Sequence, residues 1–75
     1  MPTQSHLNNE AAFDADTTNA MGRAFEDACS ALQVPAYDTR GRLAIAARII
    51  DLARAGVTDA STLRNRVLTE AYSRG

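Results

Sequence analysis

Leu43–Leu68 reads LAIAARIIDLARAGVTDASTLRNRVL, and this stretch decides the fold. Its first part is dense in alanine, leucine and isoleucine. Then come Gly56, the pair Thr58-Asp59, and a second run in which apolar residues recur every three or four positions. That spacing places apolar side chains on one side of an α-helix. Gly56 stands where a helix ends in a left-handed residue, and Val57 supplies the apolar contact that accompanies such a stop. Thr58 or Asp59 can cap the next helix, because a short side-chain oxygen there accepts from a free N–H of the first turn. The stretch predicts two helices joined by a tight turn, over about 39–55 and 59–73. Asp38 or Thr39 stands at the start of the earlier one.

The earlier of these helices is apolar over a wide arc. Leu43, Ala46, Ala47, Ile50 and Ala53 make one face, and Ile45, Ile49 and Leu52 make a second beside it. Only a strip around Ala44, Arg48, Asp51 and Ala55 is left for water. A helix with so wide an arc is expected at the centre of the domain, covered on two sides. In the later helix Ala60, Leu63, Val67 and Ala71 make the inner stripe, and Leu68 and Tyr72 widen it. Arg64 projects into the middle of that arc. Either it lays its aliphatic stem over the core edge, or it anchors a partner's carboxylate. Arg48 is spaced to pair with Asp51, and Arg66 with Glu70.

Towards the N-terminus a further helix is predicted over about 17–33, capped by Asp16 or Thr17. Ala20, Met21, Ala24, Phe25, Ala28, Ala31 and Leu32 fall on one half, and Arg23, Glu26, Asp27, Ser30 and Gln33 on the other. Val34-Pro35 ends it, because a residue before proline avoids the α region. Residues 1–15 read as a loosely ordered arm, with Asn8 or Asn9 able to cap a short turn. Phe13 is the large apolar residue there, placed to fold back on the core or reach a neighbouring chain. No stretch alternates as a strand would, and nothing repeats. The fold class is all-α: a small three-helix bundle over 16–75 with its second helix central.

At 75 residues the chain holds one domain, and 15 of its 34 apolar residues are alanine. Chains this short bury only about 60% of their unfolded surface. The core is therefore thin, or is completed by a second chain. Eight Arg and no Lys stand against nine acidic residues, a net charge of −1. That balance lacks the basic footprint of a nucleic-acid or anionic-membrane binder. A single Cys rules out an internal disulfide framework and a multi-Cys metal site. With no leader pattern and no apolar run near the roughly 20 residues that span a bilayer, the cytoplasm is the expected location.

Asp14-Ala15-Asp16-Thr17-Thr18 matches the D-x-D-x-T pattern and resembles the nucleophile loop of haloacid-dehalogenase-type phosphatases. That loop needs a buried strand before it and a large α/β domain around it. The same residues resemble the start of an EF-hand loop, but its sixth and twelfth positions, which need Gly and Glu, hold Asn19 and Phe25. A polar helix-capping segment explains the residues more simply. Cys29 lies mid-helix, one turn after Glu26, where a small buried apolar residue is expected. His6 is the only histidine and lies in the arm. No catalytic residue, cofactor or metal is expected, and the chain does not read as an enzyme.

Gly56, Val57, Thr58, Thr62, Arg66, Val67 and Leu68 carry a likeness to the helix-turn-helix of repressor-type DNA-binding proteins. Two inward positions, taken here by Leu52 and Thr62, are displaced by one residue, which turns a side chain by about 100°. The resemblance implies base contacts from Arg64, Asn65 and Arg66. A second likeness spans about residues 24–71. It rests on Ala24, Phe25 and Cys29; on Ala47, Arg48, Ile49, Ile50, Leu52 and Ala53; on Gly56 and Asp59; and on Leu63, Arg64 and Arg66. These resemble short helical proteins of rhizobia and other alphaproteobacteria, and imply a compact helical fold with no activity attached.

The expectation is a small non-catalytic protein–protein interaction module, as a homodimer or with another protein. Phe13, Tyr37, Arg64, Leu68 and Tyr72 are its candidate contacts, since aromatics and Arg are enriched at interfaces. The alternative is DNA binding through residues 52–68.

Overall fold

The computed structural model describes residues 13–74, which form three α-helices: α1 (Ala15–Ala31), α2 (Thr39–Arg54) and α3 (Ala60–Arg74). This is the expected all-α three-helix bundle, each helix shifted by a residue or two at its ends. The turn near Asn8 and Asn9, and His6, lie outside the described residues.

α1 starts earlier than expected because its cap is Asp14, neither Asp16 nor Thr17. The Thr17 N–H donates to Asp14 Oδ1 at 2.8 Å. That bond holds the Asp14 carboxyl below the usual carboxylate range. Thr17 is consequently a first-turn residue and is buried. Ala15 thus belongs to the helical domain and not to the arm.

α1 also stops earlier, at Ala31, before Val34-Pro35 can act. Leu32 closes the helix and Gln33 turns left-handed, with φ 58°. The Gln33 N–H donates to the Ser30 carbonyl at 3.1 Å and the Val34 N–H to the Cys29 carbonyl at 2.8 Å, which is a Schellman stop. α2 ends in the same motif with Gly56 at φ 105°. There the Gly56 N–H meets the Ala53 carbonyl and the Val57 N–H the Leu52 carbonyl, both at 3.0 Å.

α2 is capped by Asp38, which accepts from the Gly41 N–H at 3.0 Å. A Cβ at residue 41 would stand 2.7 Å from Asp38 Oδ2, so this cap requires a glycine beneath it. Asp59 caps α3, accepting from the Thr62 N–H at 3.0 Å and the Thr62 hydroxyl at 3.1 Å.

The core is built from Ala24, Ala28 and Cys29 of α1, Ile45, Ile49 and Leu52 of α2, and Leu63 and Val67 of α3. Ala24 and Ala28 are fully buried. Their small side chains let the other helices approach closely, so that Ile49 and Leu63 fill the centre. α1 makes the most extensive contacts with both neighbours, which corrects the expectation of a central second helix. Of the two apolar faces of α2, the one holding Ile45, Ile49 and Leu52 is buried. On the other only Ala53 is buried; Ala46 is half-buried, while Leu43, Ala47 and Ile50 are exposed. The reason is geometric. In a three-helix bundle each helix has two neighbours on one side, and they cannot cover an arc wider than half a turn.

Candidate interaction surface

α1 and α2 run antiparallel: Phe25 lies beside Arg42 and Ala46, and the start of α1 lies beside Ile50. Between them is an open groove of about 310 Å³. Phe13, Met21 and Phe25 line it from the α1 side, and Ala46, Ile49 and Ile50 from the α2 side. Thr18 is the only lining residue with a polar side chain, and Gly22 leaves the α1 wall low. Past Phe25 and Ala46 the groove continues into a second depression, of about 260 Å³, walled by Leu43 and Arg42. The Arg42 guanidinium lies over the Phe25 ring, 4.8 Å from its centroid, a cation–π contact that closes this end with a positive charge. Leu43 is 64% exposed and Ile50 37%, large apolar side chains left in water on the α2 wall.

The five residues expected at an interface fall in two places. Phe13 is half-buried in the groove, and Tyr37 is 87% exposed in the α1–α2 loop, next to Ala36 at the groove's end. Arg64 and Leu68 are half-buried and Tyr72 is exposed. Spaced four apart, those three form a separate stripe along α3. The half-burial of Arg64 fits a stem laid on the protein surface. Its Nε and Nη2 donate to Asn65 Oδ1 at 3.3 and 3.1 Å. Asn65 and Arg66, the other two residues of the DNA reading, are exposed.

The α2–α3 side is closed by charge. Glu70, expected to pair with Arg66 along its own helix, accepts from Arg48 Nε and Nη2 across the bundle, both at 2.6 Å. This fork pairing holds the guanidinium even more firmly protonated than usual. The expected Arg48–Asp51 pair is present at its outer limit, 4.0 Å.

Cys29 is buried as expected, and its burial pushes the thiol's pKa up. Among the described residues no group of His, Cys, Asp or Glu side chains could hold a metal ion, and no helix is long and apolar enough to cross a membrane.

Sequence reasoning assigned Met21, Phe25, Leu43, Ala46 and Ile50 to the core. The available signal was the width of the α2 arc, more than two neighbours can cover. No protein-family model, curated protein or solved structure matches the chain.

Proposed function

We propose that this chain is a small, non-catalytic protein–protein interaction module, working through the apolar α1–α2 groove and self-associating there. One observation carries the reading: Leu43 and Ile50 stand exposed on the wall of a groove otherwise made of Phe13, Met21, Phe25 and Ala46. Isolated exposed apolar residues are ordinary, whereas a contiguous patch rimmed by polar residues marks an interaction surface. The aromatic and methionine content of this groove is also that of interface cores. The α3 stripe of Arg64, Leu68 and Tyr72 offers less, because Leu68 is half-covered and Arg64 is engaged by Asn65.

The test is solution mass by light scattering over a concentration series, comparing the wild type with Ile50→Glu and Leu43→Glu. The wild type is expected to dimerise, and both variants to remain helical monomers. A wild-type mass that stays monomeric throughout, or dimers that survive both substitutions, would overturn the assignment.

A further inference from the structure

The walls of the groove differ in charge. On the α1 wall Glu26 follows Gly22 by one helical turn and is exposed, and Asp14 lies at the opposite end beside Phe13. On the α2 wall Arg42 lies over Phe25, next in sequence to Glu26. Arg54 follows Ile50 by one turn on the same face, towards the end where Phe13 lies. The acidic residues and the arginines therefore sit on opposite walls, at matching levels along the groove.

Between them the rims are small. Gly22 is exposed in the middle of α1, and a Cβ there would meet nothing within 4 Å. Nothing within one copy requires glycine at this position, yet a mid-helix glycine costs about 0.5–1 kcal/mol relative to alanine. On the α2 wall the exposed residue between the levels of Ala46 and Ile50 is Ala47. Small residues on both rims admit a second pair of helices at close range.

Resting on the groove reading above, we propose that the occupant is a second copy of this chain, related by a two-fold axis running along the groove. Such an axis keeps each residue at its own level and exchanges the walls. α1 of each copy then lies over α2 of the other. Glu26 faces Arg42 of the other copy, and Gly22 faces Ala47 of the other copy. The other simple two-fold, across the groove, would set α1 on α1 and acid against acid. The interface is a four-helix layer with Phe25, Leu43 and Ile50 of both copies at its centre.

Charge reversal tests the arrangement. Glu26→Arg alone and Arg42→Glu alone each place like charges together twice per dimer, and should weaken self-association about tenfold or more. Mixing these two single variants makes both pairs opposite in charge, and a heterodimer should form where neither variant pairs with itself. Gly22→Ala should weaken the dimer while raising the melting temperature measured at dilutions where only monomer is present. Should Ile50→Glu abolish the dimer while both charge reversals leave its dissociation constant unchanged, the groove is the interface but this two-fold is wrong. Failure of the mixed variants to associate would also overturn it. A wild type that never dimerises ends both proposals.

Discussion

Ile49 and Ile50 are the same residue, side by side on one helix, yet one is 2% exposed and the other 37%. Ile49 points between α1 and α3 and is enclosed on every side. Ile50 points along the α1–α2 boundary, where α1 ends its coverage and the groove begins. The hydrophobic effect acts on both equally per unit of apolar area. What separates them is the number of helices available to cover α2. The pair shows how a sequence can state which side chains favour burial without stating which ones obtain it from their own chain.

The largest expected effect breaks the pair directly. Ile49→Ala should destabilise the monomer by about 2–5 kcal/mol, through lost burial and a cavity the neighbours cannot fill. Ile50→Ala, measured by urea unfolding at the same low protein concentration, should cost well under half of that. The comparison sharpens with concentration. If Ile50 is buried in a dimer, its substitution grows more costly as protein concentration rises, while the Ile49 cost relative to wild type stays the same. Equal costs at low concentration would mean that the two faces are covered alike.

A smaller effect concerns the cap that starts α2. Asp38→Ala should cost about 1 kcal/mol, by freeing the Gly41 N–H. Because this cap fixes the first turn, it also sets the place of Arg42 and Leu43, so the loss should fall on the groove end more than on the core. Amide exchange would show protection falling at residues 41–43 and holding at Ile49.

The two helix stops offer a second contrast on the same scale. α1 and α2 end in the same hydrogen-bonding motif, one with Gln33 and the other with Gly56 in the left-handed position. Left-handed backbone strains any residue with a Cβ. Gln33→Gly should therefore stabilise the fold by roughly 0.5–1 kcal/mol, the relief of strain exceeding the added freedom of the unfolded chain. Gly56→Ala should act in the opposite sense. Thermal melts of the two variants would check both signs.

The smallest effect is a dependence on pH. The Thr17 N–H bond lowers the folded-state pKa of Asp14 relative to the unfolded chain. The folded form thus binds that proton less readily, and the associated stability is complete above the unfolded carboxylate pKa. It is lost as pH falls through the folded value. Asp14→Asn should flatten this part of the acid-unfolding profile while keeping a capping oxygen. A profile unchanged by the substitution would assign the acid sensitivity to other carboxylates, Glu70 first among them.

Much of the bundle was legible because it rests on local chemistry. Helix spacing, the Gly56 stop, the Asp38 and Asp59 caps and the burial of Cys29 all follow from residues within a turn or two of one another. Some local features were still misread. Asp14 competes with Asp16 and Thr17 for the same cap, and the winner depends on Thr17 being buried in the finished bundle. The stop at Gln33 was hidden because glutamine carries no left-handed preference, and the later Val34-Pro35 was the visible signal. The groove was the least legible part. Its lining residues are indistinguishable from core residues by spacing, and the one clue was an apolar arc too wide for two neighbours.

The amino-acid sequence alone determined three helices, their order, the inner stripe of each and the absence of a basic surface, because periodicity and capping act over a few residues. Only the tertiary structure decided which apolar face of α2 is covered, that Arg48 reaches Glu70 and that Phe25 meets Arg42. These depend on how three helices divide a fixed amount of contact among themselves, a quantity set by packing geometry and by the small side chains of Ala24 and Ala28 where the helices meet.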